Sequence, residues 1–272
     1  MTALWRSSVS KVEADKVLIR GYDLEQLIGG QSFTASCFLL IRGRLPSPSE
    51  TRVLDAVLNA VLDYALLKSG TVAARYAVSA NPNMVAGIAT AVLSVGKFTL
   101  APEETGRFIC KAVERYHASG RPIEEIAQEI ANEARSRKER IPGLGHPLFR
   151  QIDPRAQRLK DIAVAAGMWS ERATLYELIH RAYIDAVGRP DIPINVVGMM
   201  AVILLELGFT PDEMTGLAVL STLPGVIAHI SEELQGGRPI RTVPDDQVDY
   251  SAVVPRHFEI DLRDAGWTKE DS

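Results

Sequence analysis

Residues 141–163 read IPGLGHPLFRQIDPRAQRLKDIA, the most unusual stretch of the chain. Gly143 and Gly145 let the backbone approach a ligand without a Cβ in the way, so its N–H and C=O groups can read the edge of an adenine or a carbonyl. His146 follows at once and can donate or accept a proton near neutral pH. Arg150 lies four residues further on and can pair with a carboxylate through two hydrogen bonds. The stretch therefore predicts a binding loop joined to acid–base and anion-recognition groups.

Helical signals surround this stretch on both sides. Two short extended pieces, at residues 10–12 and 17–19, predict a small N-terminal β-hairpin. Beyond them, capping hydroxyls before apolar runs and glycines after them mark the ends of helices. We expect helices over residues 33–42, from a cap at Ser49 onward, from Pro102 onward, and over 123–138, 171–187, 194–207 and 211–233, with packed core helices of small residues between 71 and 100. The pattern predicts an all-α fold and argues against a nucleotide-binding sheet.

Composition restricts the class of protein. The 272 residues are 46% apolar and 24% charged, and the net charge of −4 argues against a nucleic-acid partner, which would need a basic face. Cys37 and Cys110 lie far apart and form neither a disulfide framework nor a metal cluster, which fits a reducing cytoplasm. The first residues contain no secretory signal, and the most apolar run, residues 196–207, is too short to span a membrane. We therefore expect a cytoplasmic protein without a metal or a membrane segment.

The order of a glycine loop, a histidine, an arginine and an Asp-Pro-Arg turn resembles the motif of the citrate synthase superfamily. The resemblance continues through RGYD at 20–23, GRLP at 43–46, RPDIPINV at 189–196 and GRPI at 237–240. The C-terminal part and the short length are most similar to small citryl-CoA lyases and to the lyase module of ATP citrate lyase. The resemblance implies a two-domain helical fold, in which residues 1–100 and 209–272 form the large domain with a C-terminal arm, and residues 101–208 form the small CoA-binding domain.

The resemblance also implies how ligands would bind. CoA, free or as an acyl-CoA, would place its adenine against the glycine loop, and nearby basic residues would hold its phosphates. A small carboxylic or keto acid would be the second substrate. The histidine of the motif would polarise its carbonyl, or take up the hydroxyl proton when the reaction runs backwards. The residues assigned to CoA are Ile141, Pro142, Gly143, Leu144, Gly145 and Arg189, and those assigned to catalysis or to the acid are His146, Arg150, Tyr64, Thr99, Val197 and His229.

Several of these positions depart from the family pattern. Val197 stands where the family has the aspartate that removes a proton from the acetyl methyl group. Thr99 falls close to the enolate-binding histidine, and Tyr64 falls on another substrate-binding histidine. Because valine cannot accept a proton, we expect ordinary citrate synthase activity to fall by roughly two to four decades, the usual acid–base contribution. The valine also indicates a less polar substrate in that corner of the site.

Three functions remain open at this point. The first is a carbon–carbon lyase, or the reverse condensation, on a 3-hydroxyacyl-CoA or a related thioester, with Tyr64, Asp63, Asp191 or a water molecule completing the proton transfer. The second is a non-catalytic acyl-CoA-binding subunit that regulates or assembles with an intact homologue. The third is a helical scaffold without affinity for CoA. The resemblance implies a homodimer, or a heteromer with a homologue, and the helices between residues 71 and 100 would suit the interface.

Overall fold

The computed structural model describes residues 4–96, 98–249, 251 and 254–268. Within these residues, regular structure consists of twelve α-helices, two short 3₁₀ turns and one three-stranded sheet, which confirms the prediction of an all-α fold. Residues 1–3 of the N-terminal segment, and residues 250, 252, 253 and 269–272 of the predicted C-terminal arm, lie outside the described part. The domain boundaries after residues 100 and 208 stay a prediction.

The small sheet lies at the N-terminus and contains one strand more than the predicted hairpin. Its antiparallel strands are β1 (Ser10–Val12), β2 (Val17–Ile19) and β3 (Tyr22–Asp23). The extra strand forms because Arg20 and Gly21 both take positive φ angles and turn the chain back on itself. The Arg20 guanidinium then donates to the carbonyl oxygen of Leu40 through Nε at 2.9 Å and Nη2 at 2.7 Å. These bonds fix the sheet to the helical body.

The helices follow the predicted order, and their caps explain most of their ends. Ser32 Oγ accepts from the Ala35 N–H at 3.1 Å, and the helix that begins there ends at Gly43 with φ +76°. The predicted cap at Ser49 is wrong, because Ser47 and Glu50 form a capping box around Pro48, a residue that fits the first helical position. The helices are α1 (Leu24–Leu27), α2 (Phe33–Arg42), α3 (Pro48–Asn59), α4 (Ser69–Ala80), α5 (Met84–Leu93), α6 (Pro102–Ser119), α7 (Ile123–Arg137), α8 (Pro154–Ala165), α9 (Glu171–Val187), α10 (Val196–Glu206), α11 (Pro211–Gly236) and α12 (Phe258–Asp264).

The main hydrophobic core forms around α10, which packs against α6, α8 and α9. A second, smaller cluster joins α4, α5 and α11 through Ala74, Val78, Ala91, Val226 and Ile230. The prediction of core helices between residues 71 and 100 holds for only one face of them. On α5, the side chains of Val85 and Leu93 are 72% and 85% exposed. An apolar face of this helix therefore remains at the surface of the chain.

Helix α11 is long and apolar enough to cross a membrane by length and composition, a criterion that core helices of soluble proteins also meet. It packs against α3, α4, α5 and α6. Pro224 lies inside it, and the next residue, Gly225, touches the segment after α3: a Cβ there would come within 2.4 Å of the Leu62 carbonyl oxygen. The helix thus supports the segment that carries Tyr64, and the absence of a membrane segment stays a prediction.

Candidate active site

The glycine loop is fastened to the segment before α10 and to α9. The N–H and C=O groups of the loop that face these two elements already have hydrogen-bond partners inside the protein, so a ligand would contact the opposite side of the loop. Four hydrogen bonds hold it: Tyr176 Oη to the Pro142 carbonyl oxygen at 2.7 Å, Asn195 N to the Gly143 carbonyl oxygen at 3.0 Å, Asn195 Nδ2 to the Gly145 carbonyl oxygen at 2.8 Å, and Gly145 N to the Pro193 carbonyl oxygen at 2.8 Å.

The two glycines of the loop are needed for different reasons. Gly143 has φ +79°, and a Cβ there would lie 2.4 Å from Tyr176 Oη and 2.6 Å from the Cα of Gly198. Gly145 has φ +86°, but a Cβ there would meet only Ile192, at 4.0 Å. Gly143 is therefore required by space and by backbone conformation, and Gly145 by conformation alone.

The ring of His146 presents a hydrogen-bond donor to the cavity beside the loop. Its Nδ1 lies 3.1 Å from the backbone nitrogen of Leu148 and 3.0 Å from that of Phe149, so Nδ1 accepts from both and the proton of the neutral ring is assigned to Nε2. Burial lowers the pKa of His146, and the positive charge of Arg155 lowers it further, against an opposing effect of Asp153. A neutral ring with Nε2–H is suited to donating to a carbonyl or alkoxide oxygen.

Two side chains face that Nε2 atom. The Tyr64 hydroxyl lies 3.3 Å away, and Arg155 Nη2 lies 3.2 Å away. The guanidinium carbon of Arg155 also lies 5.1 Å from the centre of the Tyr64 ring and 5.2 Å from that of Phe149. In the tautomer with Nε2–H, Arg155 Nη2 and His146 Nε2 are both donors and do not hydrogen-bond to each other. The geometry therefore collects a guanidinium N–H, a hydroxyl and an imidazole N–H at one point.

Asp153 fixes the guanidinium in this position. Its side chain is fully buried and accepts from Arg155 Nε at 3.0 Å, from Arg155 Nη2 at 2.8 Å and from the backbone N–H of Val196 at 3.0 Å. Burial alone would raise the pKa of Asp153, but these hydrogen bonds and the charge of Arg155 hold it below its ordinary value. Asp153 is also the N-cap of α8, so the predicted Asp-Pro-Arg turn is the beginning of a helix.

Arg150, which the sequence indicated as the carboxylate anchor, lies elsewhere. It is exposed, and its Nη1 donates to the backbone carbonyl oxygen of His146 at 3.2 Å. With Arg140 and Arg189 it lines a cavity of about 580 Å³ on the outer side of the loop. Arg189 pairs there with Asp191, at 2.7 and 2.9 Å. Arg150 thus lies in the same cavity as Arg189, which was predicted to bind CoA, whereas Arg155 lies beside the imidazole of His146.

Two further cavities adjoin the inner side of the loop. One, of about 410 Å³, is lined by Tyr64, Lys68, His146 and Arg155. The other, of about 730 Å³, runs along the loop from Ile141 to Leu144. The two cavities share five lining residues and are therefore neighbours. The shared residues are Phe98, Thr99, Leu100, Asn195 and Val197.

The structure therefore brings four of the residues predicted for catalysis or for the acid, Tyr64, Thr99, His146 and Val197, to one cavity. His229 does not line it. Its Nε2 lies 3.1 Å from Asp63 Oδ2. Burial tends to raise the pKa of Asp63, but the pKa is lowered overall, chiefly by the hydrogen bonds from His229 and from the Ala65 N–H. His229 thus fixes the carboxylate of the residue that precedes Tyr64.

The sequence motif contains Arg155 only as the arginine of the Asp-Pro-Arg turn, without a role of its own, and no sequence pattern singles out Lys68. The signal for Arg155 was the Asp-Pro pair before it, which begins a helix and turns the next side chain towards the loop. Lys68 lies between a 3₁₀ turn (Ala65–Leu67) and α4, where no sequence pattern reports that its side chain lines a cavity.

Comparison with known proteins identifies the family. The family described as "Citrate synthase, C-terminal domain" matches residues 46–243. The chain belongs to the citrate synthase family. Its fold superposes on citryl-CoA lyase from Hydrogenobacter thermophilus with a TM-score of 0.86 and 30% identity, over 96% of this chain and 100% of that one. The resemblance seen in the sequence is confirmed.

More distant members share the fold or part of the sequence. ATP citrate lyase from Methanothrix soehngenii, solved with citrate and coenzyme A, superposes with a TM-score of 0.79 and 19% identity, over 96% of this chain and 43% of that one. "Citrate synthase 2" of Bacillus subtilis (strain 168) is 27% identical over 215 residues, which are 76% of this chain and 55% of the relative. The chain therefore spans about half the length of the citrate synthases that it matches.

Proposed function

We propose that this citrate synthase family member is a CoA-thioester carbon–carbon lyase, or catalyses the reverse condensation, on a 3-hydroxyacyl-CoA that carries a carboxylate. One observation carries the proposal: His146 Nε2 faces both the Tyr64 hydroxyl and the Arg155 guanidinium in a cavity beside the glycine loop. A 3-hydroxy acid has the matching groups, an oxygen to accept from an imidazole and a carboxylate to pair with a guanidinium. Citryl-CoA is the first substrate to test, because the Hydrogenobacter relative is a citryl-CoA lyase.

The thioester would run across the glycine loop. Its phosphates would lie in the outer cavity, where Arg140, Arg150 and Arg189 supply positive charge. Its acyl end would reach the inner cavities, both of which Thr99 and Val197 line. The complex of the Methanothrix relative with coenzyme A supports a CoA ligand for this fold.

Each side chain then has a defined task. The His146 N–H donates to the substrate oxygen at C3, where negative charge develops as the carbon–carbon bond breaks. Arg155, held by Asp153, pairs with the carboxylate and orients the substrate. Tyr64 limits the space beside the ring and can donate to the same oxygen.

The proposal is tested by incubating the protein with citryl-CoA and a panel of other 3-hydroxyacyl-CoAs, and following the acyl-CoA products by chromatography and mass spectrometry. In Arg155→Met, kcat/KM for the thioester with a carboxylate should fall by about 10- to 150-fold, the equivalent of a charged hydrogen bond. Arg150→Met is the matched control: it should weaken CoA affinity, measured by calorimetry, and leave the preference for the carboxylate unchanged. The proposal fails if the wild-type protein cleaves and forms none of these thioesters.

A second function is favoured by one residue. Position 197 is a valine where the family pattern has the aspartate that takes the methyl proton. Loss of this carboxylate is the change expected in a non-catalytic acyl-CoA-binding subunit. CoA binding by calorimetry without turnover of any thioester would support this function, as would co-purification with an intact homologue.

Assembly is also a proposal. The exposed apolar side chains of α5, Val85 and Leu93, suit a homodimer or a heteromer with a homologue. Light scattering on the purified protein gives its mass in solution. Replacing both residues by serine should lower that mass if this face forms the contact. The cytoplasmic location expected from the cysteines is a further proposal, testable by fractionation.

A further inference from the structure

The cavity that holds His146 and Arg155 contains one more cation, Lys68, to which the proposed function gives no task. Its backbone is fixed, since its carbonyl oxygen accepts from the N–H groups of Thr71 and Val72 at 3.1 and 3.2 Å. Its partly buried side chain makes no hydrogen bond or ion pair within the described part of the chain. The partly buried Lys160, in contrast, pairs with Glu177. A half-buried ammonium without a hydrogen-bond partner is unfavourable, so burial shifts the balance towards the neutral amine compared with a lysine in water.

The charges around Lys68 are consistent with this. Burial lowers the pKa of Lys68, and the negative charge of Asp63 opposes that effect. The Asp63 carboxylate is already engaged by His229 from α11 and by the Ala65 N–H. Tyr64 and Lys68 belong to the segment before α4, and His146 and Arg155 face them across the cavity.

We propose that Lys68 is the proton-transfer residue of this active site, in place of the carboxylate that is missing at Val197. Lys68 and Val197 line the same cavity as the imidazole that holds the substrate oxygen. The amine sits on four rotatable bonds, and the two substrate atoms that exchange a proton are separated by only one other atom. One lysine can therefore reach both. The inference rests on the proposed function and supplies the group that this function lacks.

The cleavage step balances without a co-reactant. The neutral amine of Lys68 takes the proton of the C3 hydroxyl, and the O–H electron pair becomes the second bond of a carbonyl as the C2–C3 bond breaks. The electrons of that bond remain on C2 as a thioester enolate. The ammonium then returns the same proton to C2, which gives an acyl-CoA and a keto acid and regenerates the amine. In the reverse direction the amine takes the C2 proton first and the ammonium protonates the C3 alkoxide.

The test compares Lys68→Met, Lys68→Arg and the control Lys111→Met, which changes an exposed lysine on α6. The substrate is the 3-hydroxyacyl-CoA that the wild type turns over, and kcat/KM is followed between about pH 6 and pH 10. Uptake of deuterium from heavy water into C2 of the acyl-CoA product gives a second readout. CoA binding by calorimetry and circular dichroism verify that the variants are folded.

In Lys68→Met, kcat should fall by roughly 100- to 10,000-fold while KM changes little, and the deuterium uptake should fall with it. The rise of rate as the lysine loses its proton should vanish from the pH profile, and added ethylamine should restore part of the activity. Lys111→Met should behave as wild type. If Lys68→Met keeps the pH profile, or if Lys68→Arg restores full activity, Lys68 acts by charge alone and the inference is overturned while the proposed function stands. Absence of turnover by wild type overturns both.

Discussion

Replacing Gly143 by alanine should destabilise the protein far more than the same change at Gly145, two residues along the same loop. Both positions have positive φ, +79° and +86°, so both alanines carry the strain of a left-handed L-residue, about 1–2 kcal/mol. Only at Gly143 does the new methyl group also meet atoms that cannot move away. Tyr176 is buried and its hydroxyl donates a hydrogen bond to the Pro142 carbonyl oxygen, and the Cα of Gly198 belongs to the backbone of α10, so neither can move aside easily.

The difference between the two variants isolates this crowding. Overpacking adds about 1–3 kcal/mol, so Gly143→Ala should lose about 2–5 kcal/mol in all. A domain is stable by only about 5–15 kcal/mol, so the variant should unfold at a much lower urea concentration. Alanine also lowers the conformational entropy of the unfolded chain, but this effect is the same in both variants and cancels when their free energies of unfolding are compared.

Urea unfolding followed by the helical circular dichroism signal at pH 7 measures both variants against wild type. Gly198→Ala approaches the same contact from α10, where its Cβ would lie 2.4 Å from the Gly143 carbonyl oxygen, and should also lose stability. Equal free energies of unfolding for Gly143→Ala and Gly145→Ala would refute the reasoning, because backbone strain alone would then account for both glycines.

Two further predictions concern charged groups outside the cavity. Arg44 is the largest influence that lowers the pKa of Glu50 from 4.5 to about 2, so this carboxylate stabilises the fold above pH 4.5 and loses its contribution as the pH falls towards 2. Glu50→Gln should therefore destabilise at pH 7, by up to about 1 kcal/mol, because glutamine can keep the capping box but loses the ion pair with Arg44, and the difference in urea midpoint should shrink on acidification. Glu233 is buried between Arg75 and Arg241, so Glu233→Ala should lose about 3 kcal/mol and expose the chain after Gly236 to proteolysis. The exposed neighbour Glu232→Ala should change the unfolding free energy by less than about 0.5 kcal/mol.

Local rules predicted the helices well, because their ends depend on residues close in sequence. Ser32 and Gly43 mark both ends of α2, as expected. The cap of α3 was placed at Ser49 because two serines flank Pro48 and either can cap a helix. Only the reciprocal bonds between Ser47 and Glu50 decide between them. The exposed face of α5 could not be predicted either, because the same pattern of small apolar residues occurs on helices that are buried in a core and on helices with an exposed apolar face.

The site was predicted less completely, because its geometry depends on irregular backbone. The histidine and the glycine loop stand out by residue type and by the family motif, and the structure places Gly145 and His146 at one cavity. The motif assigns Arg150 to the carboxylate, but the segment from 147 to 152 is not helical and Arg150 does not line the cavity that holds Tyr64 and Arg155. The regular helix begins only at Pro154, after its N-cap Asp153, and places Arg155 in its first turn. The cavity position of Lys68 depends on the 3₁₀ turn before it, which carries no sequence signature.

The Asp153 carboxylate has a mechanical consequence. It receives hydrogen bonds from the first turn of α8 and from the first residue of α10, and Gly143 of the glycine loop lies against α10 at Gly198. Loop, imidazole and guanidinium must therefore travel together as one rigid body. Any opening that admits a bulky thioester has to separate this body from the segment with Tyr64 and Lys68. The Tyr64–His146 separation, 3.3 Å here, is the gap that would widen first.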